Sequence, residues 1–449
     1  MNLRRQTIAA FASPAIPISA LGLPLVVYLP PFYAKEMGLG LSVVGTIFMI
    51  TRFWDVFTDP VLGILSDKIK TSLGRRRHWI ILSVPILMIC VYKVFVPQPP
   101  ITATYLLFWM VLLYVGWTLL SISHMSWGAE LSWDYYERSR IQGWREFALL
   151  FGMLAVLVLP AIIEQTSETS GVMKVAAMGW FTIVLLPITV AIAVMKVPEY
   201  PVPNQLPIGW RRATLLVLKN KVLMRLLLAN ILTGIAPGIT GSLYIFFVSY
   251  VIDLPQWTSL MLLTYFVASF CGIPGWIRLS YRFEKHHTFA IAQVFTSIIL
   301  PLMLLLEPGN FRLYALLNLL YGLSSGAGGF LVRSMMADVT DHDNLESGTQ
   351  RTGLYYSLLT MTNKIGYAIA VGITYPILDW IDFVPAGTNT PETIEALKYI
   401  FIFAPLPIML LAALIMWNFP LDSVRQQHLR RLIDERDSLA IAKSANSSD

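Results

Sequence analysis

Charge is what this sequence has least of. Of its 449 residues only 13% are Asp, Glu, Lys or Arg, whereas 56% are hydrophobic and the mean hydropathy is +0.63. A soluble domain carries about 25% charged residues, so the deficit excludes an ordinary soluble fold and predicts an integral membrane protein in contact with a lipid bilayer. Cysteine is nearly absent too: Cys90 and Cys271 both stand in apolar segments, which excludes a disulfide framework and a thiolate metal site. No ligand set of metal-site spacing surrounds His286-His287, and neither G-x-x-x-x-G-K-[ST] nor H-E-x-x-H occurs, so an ATPase or zinc-protease reading has no support and no metal or cofactor is expected. A cleavable leader is not expected either, because the apolar run after Arg4 and Arg5 continues too long. The net charge of +6 does not point to nucleic acid, since the basic residues lie in short loops between apolar runs.

What the chain has in quantity is long uncharged sequence. Gln6 to Ala34 and Val94 to Ala129 contain no Asp, Glu, Lys or Arg, and each exceeds the roughly 20 residues an α-helix needs to cross a membrane. Apolar windows predict an all-α protein with twelve spans near 11–34, 41–66, 79–97, 101–128, 143–165, 175–196, 224–251, 256–279, 286–306, 311–336, 352–380 and 397–419. The polar stretch from Val197 to Leu223, with Pro201, Pro203, Pro207 and four basic residues, divides these six and six. Two six-helix bundles (1–196 and 224–420), a linker (197–223) and a polar tail (421–449) are expected. Lys and Arg cluster on one set of loops, at Arg4/Arg5, Lys68 to Arg77, Arg138/Arg140, Arg278 to Lys285 and Arg425 to Arg431, which predicts both termini in the cytoplasm. "DPVLGILSDKIKTSLGRRRH" and "GIPGWIRLSYRFEKHH" correspond in the two halves, as in a parallel-repeat transporter.

Against this apolar background a few ionisable residues stand inside spans. Asp55 and Asp59 are four apart on one face of span two, with Arg52 on the same side. At about 1.5 Å of rise per residue, Asp59 lies roughly 12 Å and Asp55 roughly 18 Å from the span's end at Asp67. An unpaired carboxylate at such depth costs on the order of 2.5–3.5 kcal/mol, so the pair must bind a cation, carry a proton or meet a base. Two convergent carboxylates suit Na⁺ or H⁺; alternatively Arg52 neutralises Asp55 and the acids are static. Lys364, at mid-span in "LLTMTNKIGYAIAVG", needs a carboxylate partner, for which the Asp55/Asp59 pair is the candidate. His124 with Thr118, Ser121 and Ser123 forms a polar patch on span four, fit either to meet substrate or simply to be hydrogen-bonded. The basic cluster Arg75, Arg76 and Arg77 and the acids Asp338 and Asp341, in the charged segment 337–353, are candidate partners in a cytoplasmic gate; each is equally readable as orientation signal or solvated surface.

"GTIFMITRFWDVFTDPVLGILSDKIKTSLGRRRHWI", "WGAELSWDYYERSRIQGWREF" and "MMADVTDHDNLESGTQRTGLYYSLLTMTNKIG" resemble the glycoside-pentoside-hexuronide:cation symporters of the major facilitator superfamily, the melibiose permease-like group. The resemblance implies a twelve-helix major facilitator fold and cation-coupled uptake by alternating access. It places the two acidic cation ligands on Asp55 and Asp59, an adjacent polar ligand on Thr58, a span-four hydroxyl on Thr118 or Ser121, and the coupling lysine on Lys364. Trp127 opens the second motif and Arg145 closes it, and both join Arg52 as candidates for substrate or coupling. The sequence departs from the pattern where galactoside carriers use acids: the nearest placements are Ser19 on span one and Ser121 or His124 on span four.

The expectation is therefore no enzyme but a symporter of the inner or plasma membrane, coupling Na⁺ or H⁺ to a small organic solute, expected to be a sugar or glycoside. The acid-free first span admits an amphipathic or lysolipid-like substrate instead. A non-transporting receptor or scaffold is the alternative of another class.

Overall fold

The computed structural model describes residues 3–69, 71–132, 135–166, 171–199, 220–347, 352–429, 431–432 and 435. Twelve helical passes run through them: α1 (Arg5–Lys35), α2 (Leu41–Lys68), α3 (Arg77–Phe95), α4 (Ala103–Glu130), α5 (Tyr135–Thr166), α6 (Gly171–Lys196), α7 (Lys221–Val251), α8 (Thr258–Phe283), α9 (Lys285–Leu302), α10 (Phe311–Ser347), α11 (Thr352–Trp380) and α12 (Pro391–Trp417). Eleven are long and apolar enough to cross a membrane; α11, at 29 residues, is long enough but carries more polar side chains, Lys364 among them. The expected linker falls largely on residues 200–219, outside the described residues, as does most of the tail.

Local sequence explains where passes bend. In α1, Pro14, Pro17 and Pro24 each remove a backbone donor, and the pass breaks into short helices joined by a π-turn at Pro24–Tyr28. Gly326 interrupts α10, and Ala404 with Pro405 interrupts α12. Several passes extend beyond their expected limits, among them α1, which begins at Arg5 rather than 11, α5 at Tyr135 rather than 143, α12 at Pro391 rather than 397, and α10, which runs to Ser347 rather than 336. Much of the segment 337–353, expected as loop, is thus helix. Apolar windows end where charge begins, whereas a helix needs only satisfied backbone and continues into the aqueous zone.

An even number of passes brings both ends of the described chain to one face, here the terminal face; the opposite one is the distal face. The first six and last six passes meet chiefly where α2 packs against α11, α5 against α8 and α1 against α7. At the α2–α11 seam the backbones approach closely, since a Cβ on Gly45 would lie 2.6 Å from Tyr375 Cβ and one on Gly372 would run into Met49 Sδ. Within the second half, α7 and α11 cross as tightly: a Cβ on Gly234 would lie 2.6 Å from the Asn363 carbonyl oxygen.

Polar contacts across the seams concentrate at the distal face. Ser42 donates to the Asp379 carboxylate at 2.5 Å, and Gln165 donates to the Gln256 carbonyl at 2.9 Å. The strongest cluster centres on Glu164, whose side chain is wholly buried. Its carboxylate accepts the Ser259 backbone N–H (2.8 Å) and hydroxyl (2.7 Å) and pairs with Lys174 (2.7 Å), while Tyr28 donates to Ser259 Oγ at 2.8 Å. Ser259 is the second residue of α8, so a carboxylate of the first half caps a helix N-terminus of the second, where an unsatisfied N–H and the helix dipole both favour negative charge.

At the terminal face several described ion pairs lie within one half. Arg75 and Arg76 pair with Glu130 at 2.5 and 2.7 Å, and Arg77 donates to the Val197 carbonyl. Lys285 pairs with Asp338 at 2.6 Å, and Gln426 donates to Asp341 at 2.6 Å. Arg75, Arg76 and Arg77, and likewise Asp338 and Asp341, thus each have a described partner in their own half.

If the Glu164 cap holds the distal face shut, Glu164→Ala should open it. In a background lacking Cys90 and Cys271, Ser249→Cys lines a cavity of about 240 Å³ beside Glu164 and Lys174. Losing about 1–2 kcal/mol of closure should speed its labelling by a membrane-impermeant maleimide by about five-fold or more; an unchanged rate would show that closure rests elsewhere.

Candidate functional site

The two acids of α2 meet the lysine of α11 across the central seam. Asp55 is wholly buried, and Asp59 retains a quarter of its side-chain exposure. Lys364 Nζ lies 2.8 Å from Asp55 Oδ2 and 2.6 Å from Asp59 Oδ2, forming a true hydrogen bond with the latter. Thr118 of α4 completes the cluster: its hydroxyl lies 2.8 Å from Asp55 Oδ1 and 3.0 Å from Asp59 Oδ1. A single hydroxyl hydrogen shared between two carboxylates, with one ammonium below both, holds the acids on a common centre. Their spacing of four residues puts the carboxylates on adjacent turns, and the α2–α4 and α2–α11 contacts aim them at the same point.

Three groups with formal charges −1, −1 and +1 leave one negative charge when all are ionised. The next cation on α2, Arg52, is 8% exposed and stands over the Tyr114 ring at 5.6 Å, with one guanidinium nitrogen unpartnered and no described ion pair to either acid. Neutralisation of Asp55 by Arg52 is thus replaced by pairing with Lys364. The oxygens present are those a hard monovalent cation takes as ligands, and the same carboxylates are proton acceptors.

Not every sequence candidate reaches this centre. Of the two span-four hydroxyls Thr118 does, whereas Ser121 turns back to the Thr118 carbonyl at 3.4 Å. Thr58 donates to the Asp55 backbone carbonyl at 3.1 Å rather than to a carboxylate. Ser19 likewise bonds its own helix, at Ile16, 3.1 Å away, where α1 packs on α5. His124 is fully buried, stacked on Phe11 with ring centroids 4.5 Å apart and Nε2 2.6 Å from the Phe11 carbonyl oxygen. Trp127 is also fully buried, donating to the Pro198 carbonyl at 3.1 Å beneath the Arg77 guanidinium. Ser19, His124 and Trp127 each place one polar atom on a backbone carbonyl inside the first half, while His124 Nδ1 is buried without a partner. Arg145 is 9% exposed, 3.3 Å from Glu146, and its Nε is buried without a partner.

Sequence reading missed a second polar feature, a cavity of about 340 Å³ within the second half, lined by residues of α7 to α12 including Asn230, Gln293, Arg333, Thr360, Asn363 and Tyr367. Amides and hydroxyls scattered over five helices carry no linear signal, and only the bundle collects them. α11 belongs to both places: Thr360, Asn363 and Tyr367 line the cavity while Lys364 faces the acids.

Removing the ammonium should expose how strongly the three groups depend on one another. Lys364→Ala is expected to lower the thermal midpoint of the purified protein, and adding Asp59→Asn should recover part of the loss, with a coupling energy of about 1–3 kcal/mol. Strictly additive effects would mean that the pair does not interact.

A comparison with known proteins bears on this geometry. The family model for MFS/sugar transport proteins matches residues 10–423. The putative glycoside/cation symporter YagG of Escherichia coli is 25% identical over 415 residues, covering 90% of each chain. The human sodium-dependent lysophosphatidylcholine symporter 1 is 24% identical over 452 residues, covering 91% of this chain and 82% of its own. In three dimensions the nucleoside transporter NupG superposes with a TM-score of 0.65 at 13% identity, over 92% of this chain and all of NupG. With twelve passes in two packed sets and a match over nearly its whole length, the chain belongs to the MFS/sugar transport protein family and has the major facilitator fold.

Proposed function

We propose that the protein is a symporter that couples Na⁺ or H⁺ to the uptake of a small organic solute, a sugar or glycoside, by alternating access. The observation that carries this reading is the Lys364–Asp55–Asp59–Thr118 cluster on the seam between the halves. A charged cluster there couples ligand occupancy to the way the halves meet, because α2 and α11 belong to different halves. Similarity to a putative glycoside/cation symporter and to a sodium-dependent symporter supports cation coupling.

In this scheme Lys364 stands in for the coupling cation when the carrier is empty. Its ammonium lowers the cost of two acids at membrane depth. An arriving Na⁺ or proton takes over that role at Asp55 and Asp59, Lys364 is released, and the α2–α11 seam is free to change. We place the protein in the inner or plasma membrane with both termini in the cytoplasm, in agreement with the basic loops. The terminal face is then cytoplasmic, and the distal seal around Glu164 makes this an inward-facing state.

A lysolipid-like substrate is the second reading, favoured by similarity to the lysophosphatidylcholine symporter and by the acid-free first pass. Transport assays in right-side-out vesicles, with sugars, glycosides and lysophosphatidylcholine under imposed Na⁺ or H⁺ gradients, separate the two. Asp59→Cys should abolish gradient-driven accumulation, by about ten-fold or more, while sparing solute exchange. Full accumulation by that variant would remove Asp59 from the coupling step. A scaffold would show neither gradient-driven uptake nor cation-dependent quenching of tryptophan fluorescence.

A further inference from the structure

Lys364 reaches the acids from one side of α11, and the opposite side of that helix is held by α7. Asn230 of α7 is 5% exposed, and its side-chain amide donates to α11 twice: to the Leu359 carbonyl at 2.6 Å and to Thr362 Oγ1 at 2.9 Å. Thr362 extends the chain of bonds, its hydroxyl lying 2.9 Å from the Leu358 carbonyl and 3.0 Å from that of Leu359. A Thr hydroxyl turned back on its own helix keeps a lone pair free, and the Asn230 amide takes it. Thr362 and Lys364 are two residues apart, roughly 200° around the helix. The amide and the acids therefore grip α11 from opposite sides.

One turn further along α7 the contact is smooth. A Cβ on Gly366 would lie 2.9 Å from Gly234 Cα, and one on Gly234 would crowd the Asn363 carbonyl oxygen, so the two backbones touch directly. Facing glycines let helices approach but present no side chain to lock their register, whereas a hydrogen bond is directional. Removing the Asn230 amide would not strip its acceptors bare, because the Leu359 carbonyl keeps the Thr362 hydroxyl. The bond therefore contributes placement more than stability.

We infer that Asn230 is a positioning residue for the coupling step: it fixes the height and rotation of α11 on α7, and so sets where the Lys364 ammonium stands between Asp55 and Asp59. This rests on the symporter reading and adds to it the part that holds Lys364 in place. An ammonium 2.8 Å from one carboxylate and 2.6 Å from the other tolerates little displacement, because charge-assisted hydrogen bonds weaken steeply away from their geometry. When a cation takes the acids and Lys364 lets go, the same amide keeps α11 with the second half. Asn230 also lines the cavity of about 340 Å³, so a solute held there meets the residue that sets Lys364. Solute and cation then share one mechanical link without touching each other.

The experiment asks whether Asn230 acts through Lys364. Four purified full-length proteins are compared: unaltered, Asn230→Leu, Lys364→Ala and the double variant. Leucine is close to asparagine in shape and donates no hydrogen bond. Each protein is titrated with Na⁺ at fixed pH, and with protons in the absence of Na⁺, with tryptophan fluorescence as the readout. In Asn230→Leu the coupling cation should half-saturate at a concentration about two- to ten-fold lower, because the ammonium that competes with it is less well held. In the Lys364→Ala background the same substitution should leave half-saturation unchanged, whereas a merely structural role would act alike in both. Thermal midpoints supply a second reading that needs no cation: removing Lys364 should lower the midpoint less in Asn230→Leu than in the unaltered protein. An unshifted Asn230→Leu, an equal shift in both backgrounds, or additive midpoint changes would each overturn the proposal. If neither cation alters the fluorescence of any of the four, the symporter reading falls and the midpoints alone decide this one. Should Asn230→Leu fail to fold, Thr362→Val removes the hydroxyl that accepts the amide and carries the same expectations.

Discussion

Two carboxylates at membrane depth and the single ammonium that answers them constrain everything else in this molecule. Without Lys364, Asp55 and Asp59 would each carry the cost of an unpaired charge in a low-dielectric interior. With it, they bind two helices from opposite halves of the chain at their midpoints. The α2–α11 seam therefore depends on the charge state of its own centre, and any cation that competes for the carboxylates competes with the seam. The close backbone approach at Gly45 and Gly372 makes that dependence stiff, since two helices in direct contact cannot absorb a change by side-chain adjustment.

The two faces complement this centre. At the distal face the halves are joined by a buried carboxylate capping the opposing helix, an arrangement that is strong when assembled and leaves several polar groups unsatisfied when parted. At the terminal face the described ion pairs include ones made within a half, as Arg75 and Arg76 make with Glu130 and Lys285 with Asp338. Charges already paired within a half let that half move as a unit. A carrier that rocks between two states needs contacts of both kinds, one set to break and another to keep its moving parts intact.

The central ionic cluster was largely legible before the structure, for an energetic reason. An ionised residue inside an apolar run is so costly that it must have a partner, and Lys364 was the candidate base on the other half. The choice between Thr118 and Ser121 was not legible: they stand three residues apart on α4, nearly one turn, and only the packing of α4 on α2 selects the nearer. Glu164 gave no warning, because an acid at the end of an apolar run reads as an ordinary boundary until Ser259 is brought to it from 95 residues away. His124 and Trp127 stand out because polar side chains in a span are rare, and the backbone carbonyl that each meets is one that no linear pattern reveals.

Sequence alone determined the class of molecule, the number of passes, the acidic pair and its basic partner, since hydropathy, helical period and the cost of buried charge are local properties of the chain. Tertiary structure decided which hydroxyl joins the acids, that Glu164 caps a helix of the other half, and that amides from separate helices share a cavity with Arg333. Those are relations between residues distant in sequence, set by how helices pack, and packing depends on the shapes of both partners at once.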